Sequence, residues 1–317
     1  MNPFVSVMMI CYNHDKFIEK AIDSILSQVT NFDFEIVIGD DFSRDNTRKI
    51  LSVYNEKYGE KIKIIFQKNN VGVSKNFECT MQQCRGKYVA ILEGDDYWID
   101  NNKLQKQVDL LERDSTLSMC FHNAKVVYEG IGGTRSSHPM VINKKFEYTL
   151  TDITRDWFVA TASIVYRRHL IENFPSWVHE SVVVDLPLLA MLTTKGKAGY
   201  IDEEMSVYRV NTGGVTRTDK QESFLLNLVR MHSYLNEYLD YNENVNLTIK
   251  ISNNYMSLSD LMINNYKCIK ALFYLLKSIE RRLSIKILPG KKELANSVKI
   301  TLICPFMKLK NIFNNLI

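Results

Sequence analysis

Carboxylates gather where strand-like segments end in this 317-residue chain. FEIVIG runs into Asp40-Asp41, YVAIL runs into Glu93-Gly94-Asp95-Asp96, and Tyr12-Asn13 follows FVSVMMIC. Neighbouring carboxylates repel, so such gatherings are costly unless a cation or a donor-rich ligand compensates. Carboxylate oxygens suit Mg2+ or Mn2+, hard cations that keep waters and bind substrate phosphates. The chemistry these residues could serve is the handling of a phosphate-bearing substrate bridged by a divalent cation. Asp40-Asp41, followed by Ser43 and Asp45, equally suits a turn and a helix cap. Asp95-Asp96 closes a strongly apolar run, where a double acid has no folding role, and there the ligand reading outweighs the cap.

The elements that must hold these residues alternate. Residues 4–11 are a nearly continuous apolar run, as in a strand buried on both faces. The polar break Asn13-His14-Asp15 can cap a helix, and Ile18, Ala21, Ile22, Ile25 and Leu26 then share one helix face. Strands follow at 34–39, 62–66 and 88–92, with helices marked by Thr47, Ile50, Leu51 and Tyr54 and over 74–84. Four βα units of this size predict an α/β fold, a mostly parallel sheet with helices on both faces. Ligands of such sheets bind beyond the carboxyl ends of the strands, where all three polar constellations fall. After Tyr97 the rhythm loosens. A helix is expected over 103–113, strands over 118–128, 158–166 and 199–210, a polar loop over 130–146 and a short helix over 186–194. From Gln221 the pattern is helical, with more helix at 266–283, and a boundary falls near 214–220.

Composition is that of an ordinary globular chain, 45% hydrophobic and 24% charged, which excludes disorder, collagen and coiled coil. No apolar run approaches the ~20 residues of a membrane helix. The first residues lack a basic region and a cleavage site, so no signal peptide is read and a cytoplasmic place is expected. The six cysteines show no metal-type spacing and are expected to be reduced thiols. Net charge is +4, but residues 267–317 carry +9 and the preceding 266 carry −5. An acidic body without a basic-aromatic groove excludes nucleic acid as a partner. In the tail Leu294, Val298, Leu302, Phe306, Leu309, Phe313 and Leu316 recur at three- and four-residue steps among lysines, interrupted by Pro305. This basic amphipathic pattern could lie peripherally on the cytoplasmic face of a membrane or pack on the rest of the protein.

VSVMMICYNHDKFIEKAIDSILSQ, EIVIGDDFSRDNT, NNVGVSKNF and GKYVAILEGDDYW, in this order over residues 4–115, resemble the nucleotide-binding half of glycosyltransferase family 2. The similarity is scattered up to about residue 216 and ceases beyond it. The resemblance implies a GT-A fold and an inverting, single-displacement transfer from a nucleotide sugar, in a catalytic domain over 1–216 followed by a helical region over 217–317. Asp41 would accept the ring N–H of a uracil-type base, with Tyr12 and Asn13 lining the pocket. Asp95 would approach the ribose or sugar, and Asp96 would ligate an Mg2+ or Mn2+ ion bridging the diphosphate. Lys75 stands where a basic residue approaches the phosphates, with Asn70 and Asn76 fixing its loop. The chain departs from the family at Glu93, where Asp is commoner, at Lys75, where Arg is, and at Asn211, where a His would supply a third metal ligand.

An inverting transfer also needs a base for the acceptor hydroxyl. The family places an Asp just before a helix, and Val184-Asp185-Leu186-Pro187 fits that place. The resemblance therefore makes Asp185 the general base, with Glu180 in reserve and His179 behind it. Trp98, Trp157 and Trp177 could stack on sugars or fill the core. The implied acceptor is a saccharide, free or lipid-linked, in surface polysaccharide biosynthesis. A nucleotidyltransferase making the donor would want a glycine-rich loop after the first strand, and Cys11-Tyr12-Asn13-His14 has no glycine. A non-catalytic nucleotide-sugar-binding protein is disfavoured by the joint presence of Asp41, Asp95, Asp96 and Asp185.

Overall fold

The computed structural model describes residues 3–128, 135–136, 141, 144–210, 221–265 and 267–300. The chain divides into two compact units, residues 1–179 with 183–214, and residues 180–182 with 215–317.

The first unit opens with β1 (Val5–Cys11), α1 (Ile18–Leu26), β2 (Phe34–Asp40), α2 (Thr47–Tyr58), β3 (Ile62–Phe66), α3 (Val73–Met81) and β4 (Tyr88–Glu93). Every residue of β1 and β2 is buried, which is why both read as apolar runs without alternation. The four strands pair in parallel in the order β3-β2-β1-β4. Register levels their carboxyl ends: Cys11 lies opposite Asp40, and Ile10 opposite Glu93. The loops that carry the acidic residues therefore leave from one edge.

The chain continues through β5 (Tyr97–Trp98), α4 (Lys103–Arg113), β6 (Leu117–Tyr128), β7 (Arg135–Ser136), β8 (Glu147–Tyr148), α5 (Leu150–Arg155), β9 (Val165–Arg167), α6 (Asp185–Thr193) and β10 (Lys197–Val210). The sheet extends past β4 in the order β9-β6-β10-β5. β9 runs antiparallel to both neighbours, and β10 is parallel to β6 but antiparallel to β5. Pairing of Val207 with Tyr97 and Ser206 with Trp98 brings Tyr208 and Arg209 beside the turn after β4.

The strand expected over 158–166 is a correction: only Val165–Arg167 pairs, after a 3₁₀ turn at Thr161–Ser163. Side chains take the carbonyls that a neighbouring strand would have used. Trp98 Nε1 donates to the Ala162 carbonyl at 2.9 Å and Gln107 Nε2 to that of Ser163 at 2.8 Å. Cys268 is disulfide-bonded, against the expectation of reduced thiols, whereas Cys11, Cys79, Cys84 and Cys120 are free.

The second unit contains α7 (Gln221–Tyr238), α8 (Asn244–Asn264), α9 (Cys268–Ser284) and α10 (Lys291–Val298). Its core gathers Met256, Leu258, Met262, Ala271, Tyr274 and Leu275. The α8–α9 seam is partly built of hydroxyls: Ser252 Oγ donates to the Ser278 carbonyl at 3.1 Å and Ser259 Oγ to that of Ala271 at 3.0 Å. The tail pattern from Leu302 onward lies outside the described residues.

Lys103, at the start of α4, is wholly buried. Its Nζ lies 3.9 Å from the centre of the Trp98 ring and has no hydrogen-bond partner among the described residues. A desolvated cation–π contact contributes about 2 kcal/mol, less than the several kcal/mol lost on burying an ammonium. Burial accordingly pulls this amine well below the usual lysine range. The unfolded chain then binds a proton that the folded chain refuses, so the group costs stability below its ordinary value of 10.5, increasingly as pH falls. Lys103→Met, of similar shape, is expected to stabilise the protein by about 1–3 kcal/mol at neutral pH. The gain should shrink towards pH 10.5. Thermal unfolding across pH checks it, and a destabilised variant would show that the amine has a partner.

Candidate functional site

Two loops form the floor beyond β1 and β2. Asn13 and Phe42 both take the left-handed conformation, with φ of 57° and 64°. That is tolerable for Asn and strained for Phe. Backbone amides of one loop bond to side chains of the other. Asn13 N–H donates to Ser43 Oγ at 2.9 Å, His14 N–H to Thr47 Oγ1 at 2.8 Å, and Asp15 N–H to Asp45 Oδ2 at 3.1 Å. Arg44 N–H returns to Asn13 Oδ1 at 2.8 Å. Asn13-His14-Asp15 thus stitches two loops together rather than capping α1, whose N-cap position is Phe17 without a side-chain bond.

The two adjacent acids divide their work. Asp40 is fully buried and receives Arg48 Nε at 2.6 Å and the Ser43 amide at 3.2 Å, the turn-forming role weighed above. Asp41 instead reaches the loop before α3. Its Oδ1 accepts Val71 N–H at 2.7 Å and its Oδ2 accepts Gly72 N–H at 3.0 Å. Burial pushes the Asp41 carboxyl above its usual range although both amides pull the other way. Gly72, at φ 87°, needs the freedom of glycine to present that amide. Asn70 Nδ2 donates to the Asp41 carbonyl at 3.1 Å, and Asn76 Nδ2 to that of Gly39 at 2.9 Å. Tyr12 is exposed beside this floor, and Lys75 is exposed on the first turn of α3.

The second constellation is built around the turn after β4. A Cβ on Gly94 would lie 2.7 Å from His14 Nδ1 and 2.8 Å from Cys11 Cβ, so only glycine lets this turn settle on the start of α1. Asp96 is 1% exposed. Its Oδ1 accepts Arg209 N–H at 2.7 Å, and its buried Oδ2 has no partner among the described residues. The Arg209 guanidinium donates to the Asp95 carbonyl at 2.6 Å and lies against the rings of Tyr97 and Phe17, 4.4 and 5.1 Å from their centres. Asp185 is the first residue of α6, where the positive end of the helix favours a carboxylate. Trp157 Nε1 holds Asp185 Oδ2 at 3.0 Å, and the Trp157 ring meets that of Tyr208 edge-on at 6.0 Å.

Electrostatics show these groups to be one site. Burial, then Asp95 and Asp185, push Glu93 up to about 8. Burial, Asp95 and Glu93 hold Asp96 well above the carboxylate range, with Arg209 opposing. The Tyr208 phenol is raised by burial and by Glu93, Asp96, Asp95 and Asp185 together. The structure therefore joins Asp95, Asp96 and Asp185 and adds Glu93, Tyr208, Arg209 and Trp157. Trp98 is core, and His179 is paired with Glu78 at 2.6 Å. The Glu180 carbonyl accepts Asn227 Nδ2 within the second unit. Asn211 lies outside the described residues.

A hard divalent cation fits this donor set. Burial and neighbouring carboxylates raise Glu93 and Asp96, and Asp96 Oδ2 has no donor among the described residues. Among the described residues no group of three His, Cys, Asp or Glu is arranged to hold a metal. Diphosphate and water oxygens would have to complete the coordination.

A sequence model described as Glycosyl transferase family 2 matches residues 6–174. An uncharacterized protein of Mycobacterium tuberculosis is 33% identical over 212 residues, which are 67% of this chain and 60% of that protein. The chain thus spans less than two thirds of that relative's length. An Escherichia coli protein named UDP-Glc:alpha-D-GlcNAc-diphosphoundecaprenol beta-1,3-glucosyltransferase is 26% identical over 223 residues, covering 69% of this chain and 82% of its own. Among solved structures, S. aureus TarS 1-349 in complex with UDP-GlcNAc superposes with a TM-score of 0.65 at 17% identity, covering 95% of this chain and 89% of that one. The mannosyltransferase PcManGT of Pyrobaculum calidifontis, in complex with GDP-Man and Mn2+, gives 0.54 at 14% identity, covering 95% and 88%. At these identities the likeness speaks for the fold, which is the GT-A arrangement.

Glu93 offers a pH test. Its folded value of about 8 exceeds its ordinary 4.5, so the folded chain holds a proton that the unfolded chain has lost. Stability from this group is fully present below 4.5 and is lost as pH rises through about 8. Glu93→Gln stays neutral and is expected to flatten this decline, melting above the wild type at alkaline pH by an amount equivalent to about 1–2 kcal/mol. Equal pH slopes for the two proteins in thermal unfolding would place the proton elsewhere.

Proposed function

The chain belongs to glycosyltransferase family 2, and from that premise we propose that it transfers a sugar, with inversion, from a nucleoside-diphosphate sugar to a saccharide acceptor. The observation that carries the reading is the buried Oδ2 of Asp96, without a donor among the described residues, inside a cluster with Glu93, Asp95 and Asp185 at the strand ends.

Asp41, with Tyr12, Asn13 and Asn70, forms the base pocket. Its two oxygens already accept amides from residues 71–72 and keep further lone pairs for a ring N–H, which favours a uracil-type base. Lys75 faces the phosphates from α3. Asp95 orients the ribose or the sugar. Asp96 would hold a Mg2+ or Mn2+ ion, whose charge would offset that of the diphosphate. Arg209 fixes the turn, its backbone amide donating to the Asp96 carboxylate and its guanidinium to the Asp95 main-chain carbonyl. Trp157 orients Asp185 through Oδ2 and leaves Oδ1 to take the acceptor hydroxyl's proton. The acceptor's hydroxyl oxygen, its proton passing to Asp185 Oδ1, attacks C1 as the bond from C1 to the diphosphate breaks, and the nucleoside diphosphate leaves.

The acceptor is proposed to be a lipid-linked saccharide of surface polysaccharide synthesis, with the protein peripheral on the cytoplasmic face. The E. coli relative, whose name specifies a diphosphoundecaprenol-linked sugar, supports this, as does the basic C-terminal charge. No helix among the described residues is long and apolar enough to cross a membrane.

Two substitutions test the assignments. Asp96→Ala is expected to abolish Mn2+-dependent binding of nucleoside diphosphate in calorimetry, and unchanged affinity rejects Asp96 as the metal ligand. Asp185→Asn is expected to spare donor binding while lowering turnover by about 10²–10⁴-fold, the range for losing a general base. Turnover is read as nucleoside diphosphate released with lipid-linked acceptors. Wild-type rates would move the role away from Asp185.

A further inference from the structure

Helix α9 is apolar on two sides. Ala271, Tyr274, Leu275 and Ser278 are buried in the second unit. Ile269, Leu272, Phe273, Leu276 and Leu283 are not: their exposures are 89, 45, 53, 57 and 52%. Their three-, four- and seven-residue spacings put all five on one face, interrupted between Leu276 and Leu283 by exposed Glu280, which pairs with Lys277. Leu288 beyond the helix is 78% exposed, and Leu294 and Val298, one turn apart on α10, are 61 and 53% exposed. Scattered exposed leucines need no explanation, whereas a contiguous apolar row marks a surface that meets something.

Charge says what it meets. The stretch that carries the row also exposes Lys267, Lys270, Lys286, Lys291, Lys292 and Lys299, and its 51 residues have a net charge of +9. Lys270 pairs with Glu222 and Lys292 with Asp260, but such surface pairs contribute little and leave both cations at the surface. Setting this face against a second copy would oppose like charges. An anionic surface satisfies the apolar row and the cationic excess of this stretch at once.

We propose that the exposed face of α9 is a docking surface for a bilayer bearing anionic headgroups, with the helix lying in the plane of the interface. The inference deepens the lipid-linked acceptor reading and rests on it only for the purpose of docking.

The test is sedimentation of the full chain with vesicles of phosphatidylcholine alone or mixed with phosphatidylglycerol, without donor or acceptor. Wild type should sediment with the anionic vesicles and progressively less as salt rises. Leu272→Ser with Leu276→Ser should lower partitioning by about tenfold or more. Ile269→Asp, at the most exposed position, gives a second readout if the double variant fails to fold. Phe306→Ser with Leu309→Ser, in the tail, should leave most of the binding. Binding that survives the α9 variants, or is lost only with the tail variant, overturns the proposal. So does light scattering that shows a dimer dissolved by the α9 variants in a protein that ignores vesicles. A wild type that fails to bind anionic vesicles while its Asp96-dependent donor binding is intact rejects the surface alone, and the transfer reading stands.

Discussion

The mutual repulsion of Glu93, Asp95, Asp96 and Asp185 is the constraint the site is built to withstand. Three separate stretches of chain press these carboxylates together. The turn after β4 is seated by Gly94 against His14 and Cys11. Asp185 is fixed by the start of α6 and by the Trp157 indole. Residues 208–209 arrive through the pairing of β10 with β5. Among the described residues Arg209 sets a positive charge against these acids, and its two flanking rings hold it where its charge counts. The remaining imbalance surfaces as protons held too tightly on Glu93 and Asp96. The divalent cation proposed for the site would relieve this imbalance.

Much of this was legible in the amino-acid order. The four buried parallel strands read as apolar runs, and the carboxylates stood out because charge at the end of such a run has no packing purpose. Pairing at a distance was not legible. Arg209 reaches Asp95 and Asp96 through a strand of only two residues, too short to leave a periodicity. Trp157 was marked as an aromatic, but nothing local tied it to Asp185. Asn13-His14-Asp15 has the composition of a cap, and only the opposing Ser43, Asp45 and Thr47 reveal that its amides are directed sideways. Helix α8 falls within the region read as helical from Gln221, but its bounds were not legible, because Ser252 and Ser259 occupy buried positions where a hydrophobic pattern would expect aliphatic side chains.

Lys103 and Asp96 make a physical contrast within the same unit. Both are buried ionisable groups with an atom left without a partner among the described residues. Lys103 sits beneath an indole, where neutrality is the only relief the fold offers. Asp96 sits among other acids at a strand edge, where an incoming ion can give relief. A buried charge is thus informative through its neighbours more than through its burial.

Asp41 carries a consequence of its own. One carboxylate grips the loop at 71–72 by two amides and is also the group proposed to meet the base. Ordering of that loop and recognition of the nucleotide then draw on a single acceptor, and linkage makes their influence reciprocal. Whatever free energy the base contributes to fastening the loop, the fastened loop returns in full as affinity for the base.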